Sequence, residues 1–503
     1  MSAILERITP FLDLSTILVC SAVLATIVWY VRRPSNLPPG PFAWPWLGSI
    51  PGIAVQYFTA GSLAPHRFLT LLGKKYDQLY SLKLGPQLLV VVANDLETVQ
   101  EAGHNQHTAA RPAMLQPSHG GGEGVAISSG EVWIQQRRFT LSTLRGFGLG
   151  RKSYEGQIAE ETEMLVKEFE KYEGKPFDNK FLVLSAVSNV LCDVMFGKRY
   201  EYSDADFRYI IDCLDRQTKL VGSAGAEIFI PGAIAKFLPK QNHPKTDMAK
   251  LTTDFNAFLS TIVKDHQKIY DGQNLHDYID VYLKEMELSR EVTAHLNELN
   301  LLTSLSQLFF AGTDTSATTL RWALMYLMEY PEKKKKVQEE IDSVVGRNRR
   351  PKLNDRDDLP YVDAIILETF RIRTPLPLSV PHSTTEDTVI KGYNVPKGTM
   401  IILNLWGAHH DPRRWDEPEK FNPDRFIDEK GCLTKVDQVI PFCYGRRQCI
   451  GEQLARKEVF IFFTHLLHHF RFERADNEQF DFEGVFGITH SPKPYMMRAI
   501  VRL

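Results

Sequence analysis

The chain has 503 residues, 43 % hydrophobic and 24 % charged, with a formal net charge of -2. That is globular composition with enough apolar material for a large core, and the balanced charge excludes a generally nucleic-acid-binding surface. Six cysteines, Cys20, Cys192, Cys213, Cys432, Cys443 and Cys449, form no C-x-x-C pair, which argues against a zinc site or a disulfide framework and for a reduced, cytosol-facing protein.

In chain order, Leu14 to Val31 is an uncharged apolar run that as a helix reaches about 27 Å, close to the hydrocarbon thickness of a bilayer. Arg32 and Arg33 follow the run instead of preceding it, so it reads as a retained single transmembrane anchor with the remaining chain on the cytosolic side. Pro34, Pro38, Pro39, Gly40 and Pro41 cannot continue a helix and predict a stiff hinge. The expected organisation is an anchor over 1–33, a hinge over 34–45 and one catalytic unit over 46–503, since no internal repeat or later linker divides the chain.

Strand-like pieces fall near Leu79 to Val92, Thr388 to Leu403 and the C-terminus, around a helix-rich middle over 155–375; the fold class is mainly α with small β-sheets. Gly120 to Gly124 reads as a loop and not a phosphate cradle, because no Lys-Ser/Thr follows it. Trp133 and Arg137 are four apart and share a helical face. Ile228 to Leu238 is apolar enough to dip into a membrane. A long apolar-periodic stretch from about Leu299 to Tyr330 contains Ala311-Gly312-Thr313-Asp314-Thr315, and Tyr361 to Arg373 carries Glu368 and Arg371 three apart. His465, His468 and His469 lie on a later amphipathic stretch and read as packed or solvated side chains, not metal ligands.

Phe442-Cys443-Tyr444-Gly445-Arg446-Arg447-Gln448-Cys449-Ile450-Gly451 fills every fixed position of F-x-x-G-x-R-x-C-x-G. A lone cysteine is usually a small buried hydrophobe, but these neighbours suit a thiolate metal ligand. Gly445 and Gly451 are expected to let backbone N–H groups approach the sulfur, and Phe442 to shield it. Helical spacing from Glu452 to Arg471 puts Cys449 at a helix N-terminus, where the dipole favours negative charge.

On this motif the chain resembles the cytochrome P450 superfamily, and over essentially its whole length the animal microsomal family 2 type. The resemblance implies the cytochrome P450 fold behind the anchor, with haem b bound through Cys449 as axial thiolate. Arg447, Arg111, Trp133, Arg137 and His382 are implied to meet the haem propionates. Glu368-Thr369-Phe370-Arg371 matches E-x-x-R, and Phe421 to Phe426 resembles the P-[ED]-R-F segment, so Arg425 is implied to join Glu368 and Arg371 in one buried network. Ala311 to Thr315 matches A-G-x-[DE]-T: Ala311 and Gly312 are expected to open the helix ladder and leave room for dioxygen, Thr315 to hydrogen-bond it or its water, and Asp314 to relay protons.

The chain has no Rossmann G-x-G-x-x-G after a strand and no flavin segment, so electrons from NADPH must arrive through another protein. The expected donors are NADPH-cytochrome P450 reductase and cytochrome b5, met by Arg137, Arg138, Arg145, Arg151, Lys152 and Arg446. The substrate pocket is expected from Met114 to Val125, Phe309, Phe310, Ala311, Leu376 to Val380 and Phe486 to Thr489, Ile488 among them. These mostly apolar residues imply a lipophilic substrate: a fatty acid, a steroid or sterol, or a foreign compound. The expectation is an NADPH-dependent monooxygenase of the endoplasmic reticulum membrane. Two other readings stay open, an electron-independent lipid-peroxide isomerase and a haem-based sensor or carrier without turnover.

Overall fold

The computed structural model describes residues 14–31, 36–61, 63–115, 123–147, 154–228, 244–288, 295–476 and 478–502. Arg32, Arg33, Arg151, Lys152, most of the glycine-rich piece and the apolar segment after Ile228 lie outside these. Helix α1 spans Leu14–Val31. Among the described residues no helix is long and apolar enough to cross a membrane. The 18 residues of α1 reach about 27 Å, just short of a hydrocarbon core of about 30 Å. Its apolar side chains are nevertheless uncovered, Leu18, Val19 and Leu24 being 60, 61 and 62 % exposed.

The segment expected as a hinge docks from residue 36 onward. Ser81 N and Oγ donate to Pro39 O and Pro38 O, both at 2.7 Å, and Asn36 Nδ2 donates to Gly392 O at 2.7 Å. Helices α2 (Ile50–Thr59) and α3 (Pro65–Tyr76) follow, then strands β1 (Leu79–Leu84) and β2 (Leu88–Ala93), paired antiparallel. Asp95 caps α4 (Leu96–His104) by accepting from Thr98 N at 2.9 Å. After α4 come α5 (Gly130–Gly146), α6 (Glu155–Glu170), α7 (Lys180–Phe196), α8 (Ala205–Ile228), α9 (Pro244–Ile269) and α10 (Tyr278–Leu288).

Helix α11 (Glu298–Glu329) is the axis of the core. Asn297 starts it by accepting from Asn300 N at 2.9 Å, and Pro331, which cannot continue it, opens α12 (Pro331–Val345). Every residue from Ser316 to Met328 is buried, as a helix surrounded by others requires; α11 packs on α7, α9, α12 and α13 (Pro360–Ile372). Strands β3 (His382–Ser383), β4 (Thr388–Ile390), β5 (Tyr393–Val395) and β6 (Met400–Leu403) precede the short α14 (Leu405–His409). β6 joins β2 in parallel and β3 antiparallel, giving the order β1-β2-β6-β3. Helix α15 (Glu452–His469) runs into β7 (Phe470–Arg474), which pairs with β10 (Met497–Val501); β8 (Val485–Phe486) and β9 (His490–Ser491) form a small hairpin between them.

Candidate active site

Cys449 lies just before α15, in a loop fixed by its own backbone. Cys449 N donates to Phe442 O at 3.0 Å, and Gly451 N donates to the Cys449 sulfur. A Cβ on Gly451 would stand 3.9 Å from Sγ, an ordinary contact. Gly445 does something other than expected: at φ +76° its missing Cβ would lie 1.9 Å from Gly103 O. It lets the loop press on α4. Burial raises the Cys449 thiol above its ordinary value, outweighing the Gly451 hydrogen bond and the Arg137 charge that pull it down. A cation bound at the sulfur would supply the charge that stabilises a thiolate here.

The sulfur faces a cavity of about 270 Å³ between α11 and α15, walled by Ala311, Gly312 and Thr315 on one side and by Phe442, Cys449 and Leu454 on the other. Arg111, Trp133, Arg137 and Arg447 close one end. Arg447 donates to Ala109 O at 2.7 Å and Ser128 O at 2.6 Å, and its guanidinium lies 4.0 Å from the Trp133 ring centre. Arg111 donates to Val380 O at 2.8 Å and Arg137 to Gln448 O at 2.7 Å. These partners are all carbonyls, so three guanidiniums meet without a carboxylate among the described residues. Burial, then the charges of Arg111, Arg137 and Arg446, lower Arg447 to about 8, and burial lowers Arg111 to about 10. Such a cluster demands an anion. An apolar cavity with a thiol on one wall and uncompensated arginines at its edge fits a haem, with its iron at Cys449 and its propionates at the arginines.

The family model described as Cytochrome P450 matches residues 38–499. The chain belongs to the cytochrome P450 family. It is 40 % identical over 474 residues to cytochrome P450 2J2 of Homo sapiens, covering 93 % of this chain and 92 % of that one. Cytochrome P450 2J3 of Rattus norvegicus is 40 % identical over 479 residues, 94 % and 93 % of the two chains. Cytochrome P450 2U1 of Bos taurus is 35 % identical over 522 residues, 98 % and 94 %. These relatives place the chain in family 2, whose members are haem-thiolate monooxygenases.

In this P450, Thr315 and Asp314 part company. Thr315 is on the cavity wall, its hydroxyl donating to Ala311 O at 2.8 Å. Asp314 is on the other face of α11, accepts from the Thr489 hydroxyl, and borders a small polar pocket with Lys180, Asp215 and Arg321; burial raises its carboxyl. Helix α11 runs without interruption past Gly312, so the expected opening of its ladder is not there. A Cβ on Gly312 would lie 2.7 Å from Leu191 Cδ1; the glycine lets α7 approach.

Glu368, Arg371 and Arg425 meet as one group. Arg371 Nε and Nη2 donate to Glu368 at 2.7 and 2.8 Å, and Arg425 Nε lies 3.4 Å from the same carboxylate. Asn422 N donates to it at 2.8 Å, and Arg371 Nη1 to His409 O at 2.9 Å. His382 is buried behind the arginine end, outside the cavity wall, with Nδ1 3.0 Å from Thr108 O; burial, Arg111 and Arg447 lower it to about 3. Ala311, Leu376 and Val380 line the cavity, whereas Phe310, Phe486 and Ile488 do not. Phe486 turns away to stack on His66 at 5.2 Å, and Phe310 packs on the core. His465 Nε2 and His468 Nε2 donate to Pro351 O and Gly346 O at 2.8 and 2.7 Å.

Sequence reasoning missed Gln307, Leu191, Ser316 and Glu458 on the wall. Glu458 had a legible signal: it shares a helical stripe with the apolar Leu454, Ile461 and Phe462, where an acid is out of place.

Proposed function

We propose that this chain is a monooxygenase that inserts one oxygen atom of O2 into a lipophilic substrate, using electrons from NADPH delivered by NADPH-cytochrome P450 reductase. The observation that carries this reading is the shared cavity: the Thr315 hydroxyl and the Cys449 sulfur border one apolar space with uncompensated arginines at its edge. Bound there, a haem would supply dioxygen activation, favoured by electron donation from the Cys449 thiolate. Arg111, Arg137 and Arg447 would hold its carboxylates, with Trp133 under Arg447 and His382 behind them. Phe442, Leu376 and Val380 give the cavity apolar walls. Thr315 would present its hydroxyl to the cavity, while Asp314, whose carboxyl burial raises, borders the small pocket on the other face of α11.

The reductase and cytochrome b5 would dock where Arg138, Arg145 and Arg446 are exposed. The exposed apolar surface of α1 supports a single-pass anchor in the endoplasmic reticulum membrane, with the catalytic body over 46–503 in the cytosol. The turned-away Asp314 keeps the electron-independent lipid-peroxide isomerase as a second reading. Turnover of the holoprotein with reductase and NADPH against fatty acids, steroids and drugs, read by mass spectrometry, decides. Product one oxygen heavier and dependent on NADPH is expected; product without NADPH establishes the isomerase, and ligand binding without product establishes a carrier.

A further inference from the structure

Arg373, just after α13, is 5 % exposed. Among the described residues its guanidinium meets no carboxylate: Nη1 donates to Ile372 O at 2.7 Å and Nε has no partner. Glu419 and Glu483 are exposed, and Arg67 takes them at 4.0 and 3.0 Å. The Arg373 guanidinium sits instead among rings, 5.3 Å from Trp322, 5.6 Å from Tyr326 and 5.7 Å from Trp406. Three histidines join this group. The His66 ring of α3 lies 4.4 Å from Trp406 and 5.0 Å from His490 of β9, and His410, just after α14, stacks on Trp406 at 3.8 Å. His490 Nε2 donates to Glu483 O at 2.8 Å and His410 Nδ1 to Trp406 O at 3.0 Å. Their other nitrogens, both nitrogens of His66 and the Tyr326 hydroxyl have no partner. Of twelve buried side-chain atoms without a partner among the described residues, six therefore belong to this one group. Buried polar atoms are nearly always paired, so such a concentration at a buried charge marks a missing ligand.

We propose that the Arg373 group binds one small monovalent anion of the halide class, with Arg373 Nε, His66 and the Tyr326 hydroxyl as its donors. Charge decides the class of ligand. Burial lowers the Arg373 guanidinium below its ordinary value, and Arg67 adds to that. Burial, with His490, Arg67 and Arg373 nearby, also keeps His66 neutral, and burial with Arg373 keeps His490 so. The group thus carries one fixed positive charge and no acid, which a buried site tolerates only with an anion beside it. A metal cation is refused by the guanidinium, and water alone would pair the orphaned atoms without balancing the charge. The lone pairs of His410 Nε2 and His490 Nδ1 call for a donor, which a water bound with the anion supplies. Size follows from the walls: Trp322, Trp406 and Phe486, stacked on His66 at 5.2 Å, are bulky and apolar, which suits a compact ion with a single hydrating water better than a phosphate.

The site is independent of the oxygenation chemistry, and its test needs no turnover. Crystals of the haem-loaded chain soaked in sodium bromide, with anomalous data collected at the bromine edge, should show a peak within hydrogen-bond reach of Arg373 Nε. In solution, replacing gluconate by chloride or bromide at constant ionic strength should raise the thermal midpoint of the holoprotein by several degrees and then saturate, because the anion binds the folded chain alone. Arg373→Met should abolish that rise, and Arg373→Lys, which keeps the charge, should retain part of it. Should Arg373→Met fail to fold, the bromide map and the titration of the unaltered chain still decide. Water density at Arg373 without an anomalous signal overturns the proposal, as does a midpoint indifferent to the anion or an Arg373→Met variant that responds as its parent does. A bromide peak with no response in solution is binding at crystal concentration only and overturns it as well.

Discussion

Two glycines flanking one cysteine look equivalent in the motif, yet the spaces around them differ. At Gly445 an added Cβ meets the Gly103 carbonyl at 1.9 Å with φ at +76°, and neither backbone can yield. Gly445→Ala should therefore lose more than about 3 kcal/mol, read as a fall in the guanidinium midpoint, whereas Gly451→Ala, with 3.9 Å to the sulfur, should lose less than about 1 kcal/mol. Equal losses would mean that loop strain, not the α4 contact, sets the requirement. Glu368 gives a sharper case, because its side chain and that of Arg371 are both 0 % exposed. Glu368→Gln leaves Arg371 and Arg425 without a counter-charge and should cost about 3 to 5 kcal/mol, with haem lost on gel filtration. An unchanged midpoint would show that the carbonyls of His409, Pro418 and Lys420 suffice for Arg371. Motif positions made these residues visible in sequence, but the purpose of Gly445 was not, since it depends on Gly103, a residue of α4 far away in the chain.

Among elements, α11 and α7 are held at a separation that Gly312 sets. The Cβ of an alanine would reach 2.7 Å from Leu191 Cδ1, the end of a side chain that can turn but is packed around. Gly312→Ala should cost about 1 to 3 kcal/mol as overpacking. Adding Leu191→Ala should recover part of that loss, a coupling that a double-mutant cycle of unfolding midpoints measures. Strict additivity would place the strain elsewhere. The helices themselves were legible: apolar periodicity gave Leu299 to Tyr330 for a helix that runs Glu298–Glu329, and Glu452 to Arg471 for one that stops at His469, where the chain turns extended into β7. Which face each motif residue takes was less legible. Asp314 and Thr315 are adjacent, so on a helix they point about 100° apart, and the resemblance treats them as one unit while the cavity receives Thr315 alone. Phe486 and Ile488 were misread for a related reason, because the β8–β9 hairpin aims Phe486 at His66, a pairing no local pattern announces.

For the whole molecule, buried histidines govern stability in acid. Burial, with nearby arginines, lowers His382, His409 and His490 to about 3, and burial lowers His465 to about 4. Above pH 6.5 these rings are neutral both folded and unfolded and cost nothing. As pH falls below 6.5 the unfolded chain takes up protons that the folded one refuses, so each ring removes about 1.4 kcal/mol of stability per pH unit. Glu458 acts in the opposite sense: raised to about 8, it binds its proton in the folded state first and stabilises the fold as pH drops from 8 towards 4.5. Raised acids such as Glu458 offset part of this loss, but burial lowers His66 and His410 as well, and a total stability of about 5 to 15 kcal/mol is exhausted within two or three units. Guanidinium midpoints of the holoprotein should rise a little from pH 8 to 7, where Glu458 and His266, raised to about 8 and about 9, take up protons in the folded state first, and fall steeply from 6 to 5. His465→Gln, whose amide can still donate to Pro351 O, should flatten that fall by about one proton's worth, roughly 1.4 kcal/mol per unit. A midpoint that stays level to pH 5, or a slope untouched by His465→Gln, would mean the rings acquire protons in place, with water reaching positions that are buried in this fold.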